Sequence, residues 1–157
     1  MSEVNILFVC TGNTCRSPMA EGFFRKAAEG KGYAVSSAGV AAYDGSLASS
    51  ETVAILEENG ASLDGFGSRM VSEEILEAAS HVFCLTRSHQ SMLLQHFPRM
   101  EEKVYLVTEF AQIDGQVGQD ISDPIGCGRR AYEEVAKQLE ASIEGILGFL
   151  EVKRSNS

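Results

Sequence analysis

Residues 5–9, Asn5-Ile6-Leu7-Phe8-Val9, form a short apolar run of the kind a strand buried on both faces requires. A segment rich in turn formers follows at once, Cys10-Thr11-Gly12-Asn13-Thr14-Cys15-Arg16-Ser17-Pro18. Met19, Ala20, Phe23, Phe24, Ala27 and Ala28 then recur at one-face helical spacing. Ser17 and Pro18 read as the N-cap and first helical position of that helix, and Gly30 as its stop. The alternation repeats without a linker. Residues 33–40 read as a second strand and residues 50–59 as a helix closed by Gly60. Ser72 caps a short helix through Ala79, residues 81–86 make a third strand, and residues 88–97 another helix. Residues 103–107 complete the strands, and residues 129–150 form a long closing helix striped by Tyr132, Val135, Ala136, Leu139, Ile143, Ile146, Leu147 and Leu150. Strands alternating with helices predict an α/β single-domain three-layer sandwich, a four-stranded parallel sheet flanked by helices. Residues 1–153 are expected to form that domain, with residues 154–157 a frayed tail.

Composition narrows the function. Twenty-two acidic and 13 basic side chains leave the 157-residue chain at −9, which argues against a general nucleic-acid binder. No apolar run approaches the ~18 residues of a membrane span. The start, Met1-Ser2-Glu3-Val4, carries an acid where a signal peptide needs a basic region. Four irregularly spaced cysteines do not make a disulfide scaffold, so a reducing cytoplasm is the expected compartment and a monomer the expected state.

The chemistry concentrates after the first strand. In open α/β sheets, ligands bind beyond the carboxyl ends of the strands. A loop there that feeds a helix N-terminus offers outward N–H groups and a dipole that favours an anion. Cys10 in that field is favoured as thiolate, the nucleophilic form. Six positions later Arg16 supplies a planar, permanently charged fork for phosphate oxygens. Cys-x5-Arg between strand and helix is therefore a phosphate cradle with a nucleophile at its base, formed by Thr11, Gly12, Asn13, Thr14, Cys15 and Arg16.

The run Val9-Cys10-Thr11-Gly12-Asn13-Thr14-Cys15-Arg16-Ser17-Pro18-Met19-Ala20-Glu21 resembles the signature of the low-molecular-weight protein tyrosine phosphatases. Ser37-Ala38-Gly39 and Asp123-Pro124 also fall where that family has them, so the resemblance spans essentially the whole chain. It implies a two-step displacement on phosphorylated proteins, with inorganic phosphate as product and no metal or other cofactor. Cys10 would form a phosphocysteine, Arg16 would hold the equatorial oxygens, and Asp123 would protonate the leaving group and then activate water. Ser17 would hydrogen-bond the Cys10 sulfur, and Asn13 would brace the loop through Ser37. Cys15 would either form a protective disulfide with Cys10 on oxidation or pack behind the loop.

The substrate side chain is open between two branches. Tyrosine-specific members commonly carry a bulky aliphatic residue at the place of Thr14 and aromatic residues after the Asp-Pro. Here the chain reads Asp123-Pro124-Ile125-Gly126, which looks more like the bacterial protein-arginine phosphatase branch. Nearby carboxylates, Asp123 with Asp120 or Asp44, would suit a guanidinium. Tyr43, after the second strand, is the feature on the tyrosine side.

Other candidates carry less. Cys84 lies in an apolar strand and reads as core, and Cys127 has no evident partner. Cys10-x4-Cys15 lacks a second pair for zinc. His81, His89 and His96 read as structural or surface residues. Asp120 is the rival to Asp123 as acid. Gly126-x-Gly128-x-x-Ala131 does not follow a strand, so it is no dinucleotide fingerprint. Two other functions compete. A thiol-linked arsenate reductase would need relay cysteines that residues 85–97 lack, and a non-catalytic phosphoprotein-binding module would usually have lost the cysteine, arginine or acid.

Overall fold

Along β1 (Asn5–Cys10) the side chains alternate between two apolar environments, which is what a strand with helices on both faces demands. The computed structural model describes residues 4–155. Ile6, Phe8 and Cys10 point into a core shared with α1 (Arg16–Ala27), α2 (Ser50–Glu58) and α5 (Arg129–Ser155). Leu7 and Val9 point the other way, into a core with Leu76 of α3 (Glu73–Ala78) and Leu93 of α4 (Arg87–His96). The architecture is the expected three-layer α/β sandwich.

The sheet order is β2-β1-β3-β4, all parallel. β2 (Ala34–Gly39) pairs with β1 from Asn5↔Ala34 to Cys10↔Gly39. On the other side, β3 (His81–Cys84) pairs from Ile6↔His81 to Val9↔Cys84. β4 (Val104–Leu106) closes the edge beside β3. The chain thus leaves β1 toward β2 and returns past it to β3, while α1 and α4 cover opposite faces. That reversal opens a crevice at the carboxyl ends of β1 and β3. The Cys10 loop and the start of α4 both lie there.

Several boundaries differ from the sequence reading. The first helix begins at Arg16, its N-cap is Cys15, and no side chain caps it. Ser17 and Pro18 are therefore its second and third residues, and the Ser17 hydroxyl serves another purpose, described below. The third strand stops at Cys84 because Thr86 caps α4, its Oγ1 accepting from the His89 amide at 3.1 Å. Residues 98–103 form a 3-10 turn opened by Pro98, which shortens the fourth strand. The expected tail is not frayed at Arg154. α5 continues to Ser155, with the Arg154 guanidinium 5.3 Å from the Tyr33 ring centre and its Nη1 donating to the Lys31 carbonyl. Residues 156–157, and residues 1–3 on which the leader argument drew, lie outside the described residues.

Two glycines of α5 separate packing from propensity. A Cβ on Gly145 would stand 2.2 Å from the Phe110 carbonyl oxygen, whereas one on Gly148 would meet nothing within 4 Å. Gly145→Ala should therefore cost about 1–3 kcal/mol by overpacking. Gly148→Ala should add about 0.5–1 kcal/mol through helix propensity. Urea midpoints at constant m-value check both, and opposite signs within one helix are the expected result.

Candidate active site

Between β1 and α1 the chain makes its phosphate-sized turn at Asn13, which adopts φ of 57°, a left-handed conformation that asparagine tolerates better than most residues. Such a residue turns successive backbone N–H groups toward one side, and the uncapped start of α1 adds more. The loop is held from outside by the segment after β2. Val40, Ala41 and Ser49 donate their amides to the carbonyls of Cys10, Thr11 and Thr14 at 2.9, 2.9 and 2.8 Å. Gly39 makes that contact possible, since a Cβ there would be 2.3 Å from the Thr11 carbonyl oxygen and 3.1 Å from the Asn13 nitrogen.

Behind the loop, donor directions can be assigned from the ends of one buried network. The Asn13 Oδ1 accepts from the Arg69 amide at 3.0 Å, which turns its Nδ2 inward. That nitrogen donates to Ser17 Oγ at 2.8 Å and to Ser37 Oγ at 2.9 Å. Ser37 in turn donates to Glu21 Oε1 at 2.7 Å, and Arg25 holds the other Glu21 oxygen at 2.5 Å. Burial raises the Glu21 pKa above its ordinary value, although Ser37 and Arg25 oppose the shift. With its oxygen already accepting from Asn13, Ser17 has its own proton free for the Cys10 sulfur, 2.8 Å away. The network thus aims a hydroxyl at the buried Cys10 sulfur.

At the mouth, Arg16 is buried and fixed by a 2.8 Å donation from Nη1 to the Ile121 carbonyl. Its Nη2 lies 3.9 Å from Asp123 Oδ2, and the half-exposed Asp123 accepts the Ile125 amide on its other oxygen. Asp120 is turned away. Its Oδ1 accepts from the Arg87 amide at the start of α4 and faces Arg87 Nε at 3.3 Å. Asp44 accepts the Met70 amide. Of the three carboxylates weighed from sequence, Asp123 alone faces Arg16.

Thr14 is half-buried, and Tyr43 and Ile125 stand exposed at 85% and 60% on the flanking loops. Cys10 and Cys15 are both free thiols. Cys15 packs beneath the loop with its sulfur 3.3 Å from Tyr132 Oη, and the burial of that phenol pushes its pKa up to about 12, the Cys15 contact adding to the shift. Cys84 is core, its thiol pushed up to about 12 by burial, and Cys127 is exposed. Among the described residues, no three His, Cys, Asp or Glu side chains gather as a metal set.

Two residues were missed or misjudged from sequence. Glu21 lies four positions after Ser17 on the buried side of α1, so a carboxylate at that spacing was the available signal. His89 is not a bystander: its Nε2 stands 2.8 Å from Thr11 Oγ1. Nothing in the local sequence announces that contact, because it depends on β3 lying beside β1.

The chain resembles known proteins over nearly its full length. Residues 5–156 match the family described as low molecular weight phosphotyrosine protein phosphatase. A protein-arginine-phosphatase of Bacillus subtilis is 37% identical over 153 residues, covering 96% of this chain and 99% of that protein. The YwlE arginine phosphatase from Geobacillus stearothermophilus superposes with a TM-score of 0.87 at 35% identity, covering 98% of this chain and 96% of that one. A low molecular weight protein tyrosine phosphatase from T. tengcongensis superposes at 0.85 with 37% identity, covering 93% and 99%. A left-handed asparagine, a serine aimed at a buried thiol and an arginine facing one aspartate thus sit on a scaffold shared end to end, and the chain belongs to the low molecular weight phosphotyrosine protein phosphatase family.

Proposed function

We propose that this chain is a cysteine-dependent phosphatase that hydrolyses phosphorylated side chains of proteins, with phosphoarginine as the favoured substrate. The convergence of Cys10, Arg16 and Asp123 around one anion-sized loop carries the reading. In the first step the Cys10 thiolate attacks phosphorus and a P–S bond forms. The bond from phosphorus to the side-chain nitrogen or oxygen breaks, and Asp123 delivers a proton to the departing atom. Arg16 and the loop amides hold the equatorial oxygens throughout. In the second step water gives its proton to the Asp123 carboxylate and attacks phosphorus. The P–S bond breaks, inorganic phosphate leaves, and Ser17 stabilises the returning thiolate. A Cys10–Cys15 disulfide would compete with the Cys15–Tyr132 contact of the resting site.

The arginine preference rests on what lines the mouth. Thr14 leaves more room than a branched aliphatic side chain, and Ile125 supplies no ring after Asp123-Pro124. Asp123 places a carboxylate where a guanidinium would leave. Phosphotyrosine is the second reading, favoured by the exposed Tyr43 ring on the loop that braces the cradle. Free thiols at Cys10, Cys15, Cys84 and Cys127 fit a reducing cytoplasm, and no helix among the described residues is long and apolar enough to cross a membrane.

Three measurements test the proposal. Cys10→Ser should lower turnover by at least about a thousandfold while leaving inorganic phosphate bound, and retained activity would sink the assignment. Asp123→Asn should slow expulsion of poor leaving groups by about 100-fold or more, while Asp120→Asn, whose carboxylate pairs with Arg87 and not with Arg16, should not. Comparison of kcat/KM on phosphoarginine and phosphotyrosine proteins should favour arginine, and Thr14→Ile should shift the ratio toward tyrosine. A wild-type preference for phosphotyrosine defeats the arginine reading.

A further inference from the structure

The crevice between β1 and β3 brings the N-terminus of α4 against the outer side of the Cys10 loop. Thr86 caps the helix, and His89, three residues on, turns its imidazole toward Thr11, with Nε2 2.8 Å from the Thr11 hydroxyl. His89 is only 4% exposed, and its Nδ1 is the one buried side-chain nitrogen or oxygen without a partner among the described residues. The charged groups acting on the ring are Arg16 from below and Asp120 and Asp123 from the acid loop. Burial pulls its pKa down to about 4, Arg16 works in the same direction, and the two carboxylates oppose them. Near neutrality the ring therefore carries one proton, on one of two nitrogens.

The unpartnered Nδ1 decides which. A buried N–H without an acceptor is rarer in folded proteins than an acceptor without a donor. The proton therefore belongs on Nε2, which donates to Thr11 Oγ1. An accepting Thr11 has its own O–H free for a third group. Thr11 directly follows the nucleophile and its residue is exposed, in contrast to the buried Cys10, Asn13 and Cys15. That exposure leaves the proton open to a group arriving from solvent.

We propose that His89 is a positioning residue which, as the Nε2–H tautomer, turns the Thr11 hydroxyl into an additional donor to the bound phosphoryl group. This assignment rests on the phosphatase reading for its catalytic consequence, but oxyanion binding tests it without turnover. Calorimetry with inorganic phosphate should show Kd rising about tenfold to a hundredfold in both His89→Leu and Thr11→Val, the loss of one hydrogen bond to a charged group. The double variant should be no weaker than either single one, and His89→Gln, which keeps an N–H, should recover most of the loss. Thr11→Ser should bind more tightly than Thr11→Val. A merely structural histidine would give losses that add and that follow the melting temperature. Nitrogen-15 spectra of the ring in the wild-type protein at pH 7 should show a neutral Nε2–H imidazole. An Nδ1–H tautomer, an imidazolium, additive losses or unchanged phosphate affinity would each overturn the proposal. Should His89→Leu not fold, the wild-type spectrum and the Thr11 pair still decide it. A wild-type protein that binds phosphate as described yet hydrolyses no phosphoprotein would instead refute the phosphatase reading and leave the role of His89 standing.

Discussion

The site depends on one side chain, the amide of Asn13. Its backbone takes the left-handed turn that closes the loop, and its side chain ties that turn to three separate parts of the chain. Each tie also sets a direction. Because the carbonyl end is consumed by the Arg69 amide, the nitrogen end must donate, and Ser17 and Ser37 must accept. Ser17 is thereby left with a proton for Cys10, and Ser37 with one for Glu21. A single amide therefore shapes the loop and aims a hydroxyl at the Cys10 sulfur. An aspartate at the same place would keep the turn but could not donate to either serine. Buried polar networks of this kind are valuable only when every member is satisfied, and the Glu21–Arg25 pair supplies the outer end.

The sheet order does the rest. Reversal between β2 and β3 leaves the carboxyl end of β1 uncovered by either crossover, so the loop after β1 can face solvent while Ile6 to Cys10 of the strand stay buried. It also brings three sequence-distant segments to that end. The stretch after β2 braces the loop through backbone hydrogen bonds, the start of α4 presents His89, and the loop before α5 presents Asp123. Gly39 is where the sheet and the loop touch most closely, and the absence of a side chain there is what allows the register of β2 to continue up to the cradle.

Much of this was legible in the amino-acid sequence, and the failures have a common cause. The strand-loop-helix around Cys10 is local, so its apolar run, its spacing to Arg16 and the helix that follows could all be read directly. The long stripe of α5 was equally plain, because its period is internal to the helix. What misled was chemistry that looks local and is not. Ser17-Pro18 has the composition of a helix start, yet the helix begins at Arg16 and the serine is committed to the active site. Arg154 looked like tail because its partners, Tyr33 and the Lys31 carbonyl, lie more than 120 residues earlier. His89 read as a structural or surface residue because its contact with Thr11 comes from strand order, which no spacing encodes. Asp123 could be preferred to Asp120 only through the family resemblance of Asp123-Pro124, and their distinct partners, Arg16 and Arg87, now tell them apart.

The overall charge of −9 gains meaning from this arrangement. Simple charge matching calls for a basic protein to take up a phosphoryl anion, but here the groups suited to an anion are confined to one loop. Arg16, the amides turned by Asn13 and the uncapped start of α1 act within a few ångströms of the anion, where the local dielectric is low and screening is weak. The surface carboxylates act through water and at longer range, so the Debye length limits them to about 8 Å at physiological ionic strength. The two fields therefore do different work. The near field is the one that would hold a phosphoryl group, while the far field disfavours polyanions such as nucleic acids. An acidic phosphatase with one concentrated anion site thus joins a local attraction for a phosphoryl group to a general repulsion of extended polyanions.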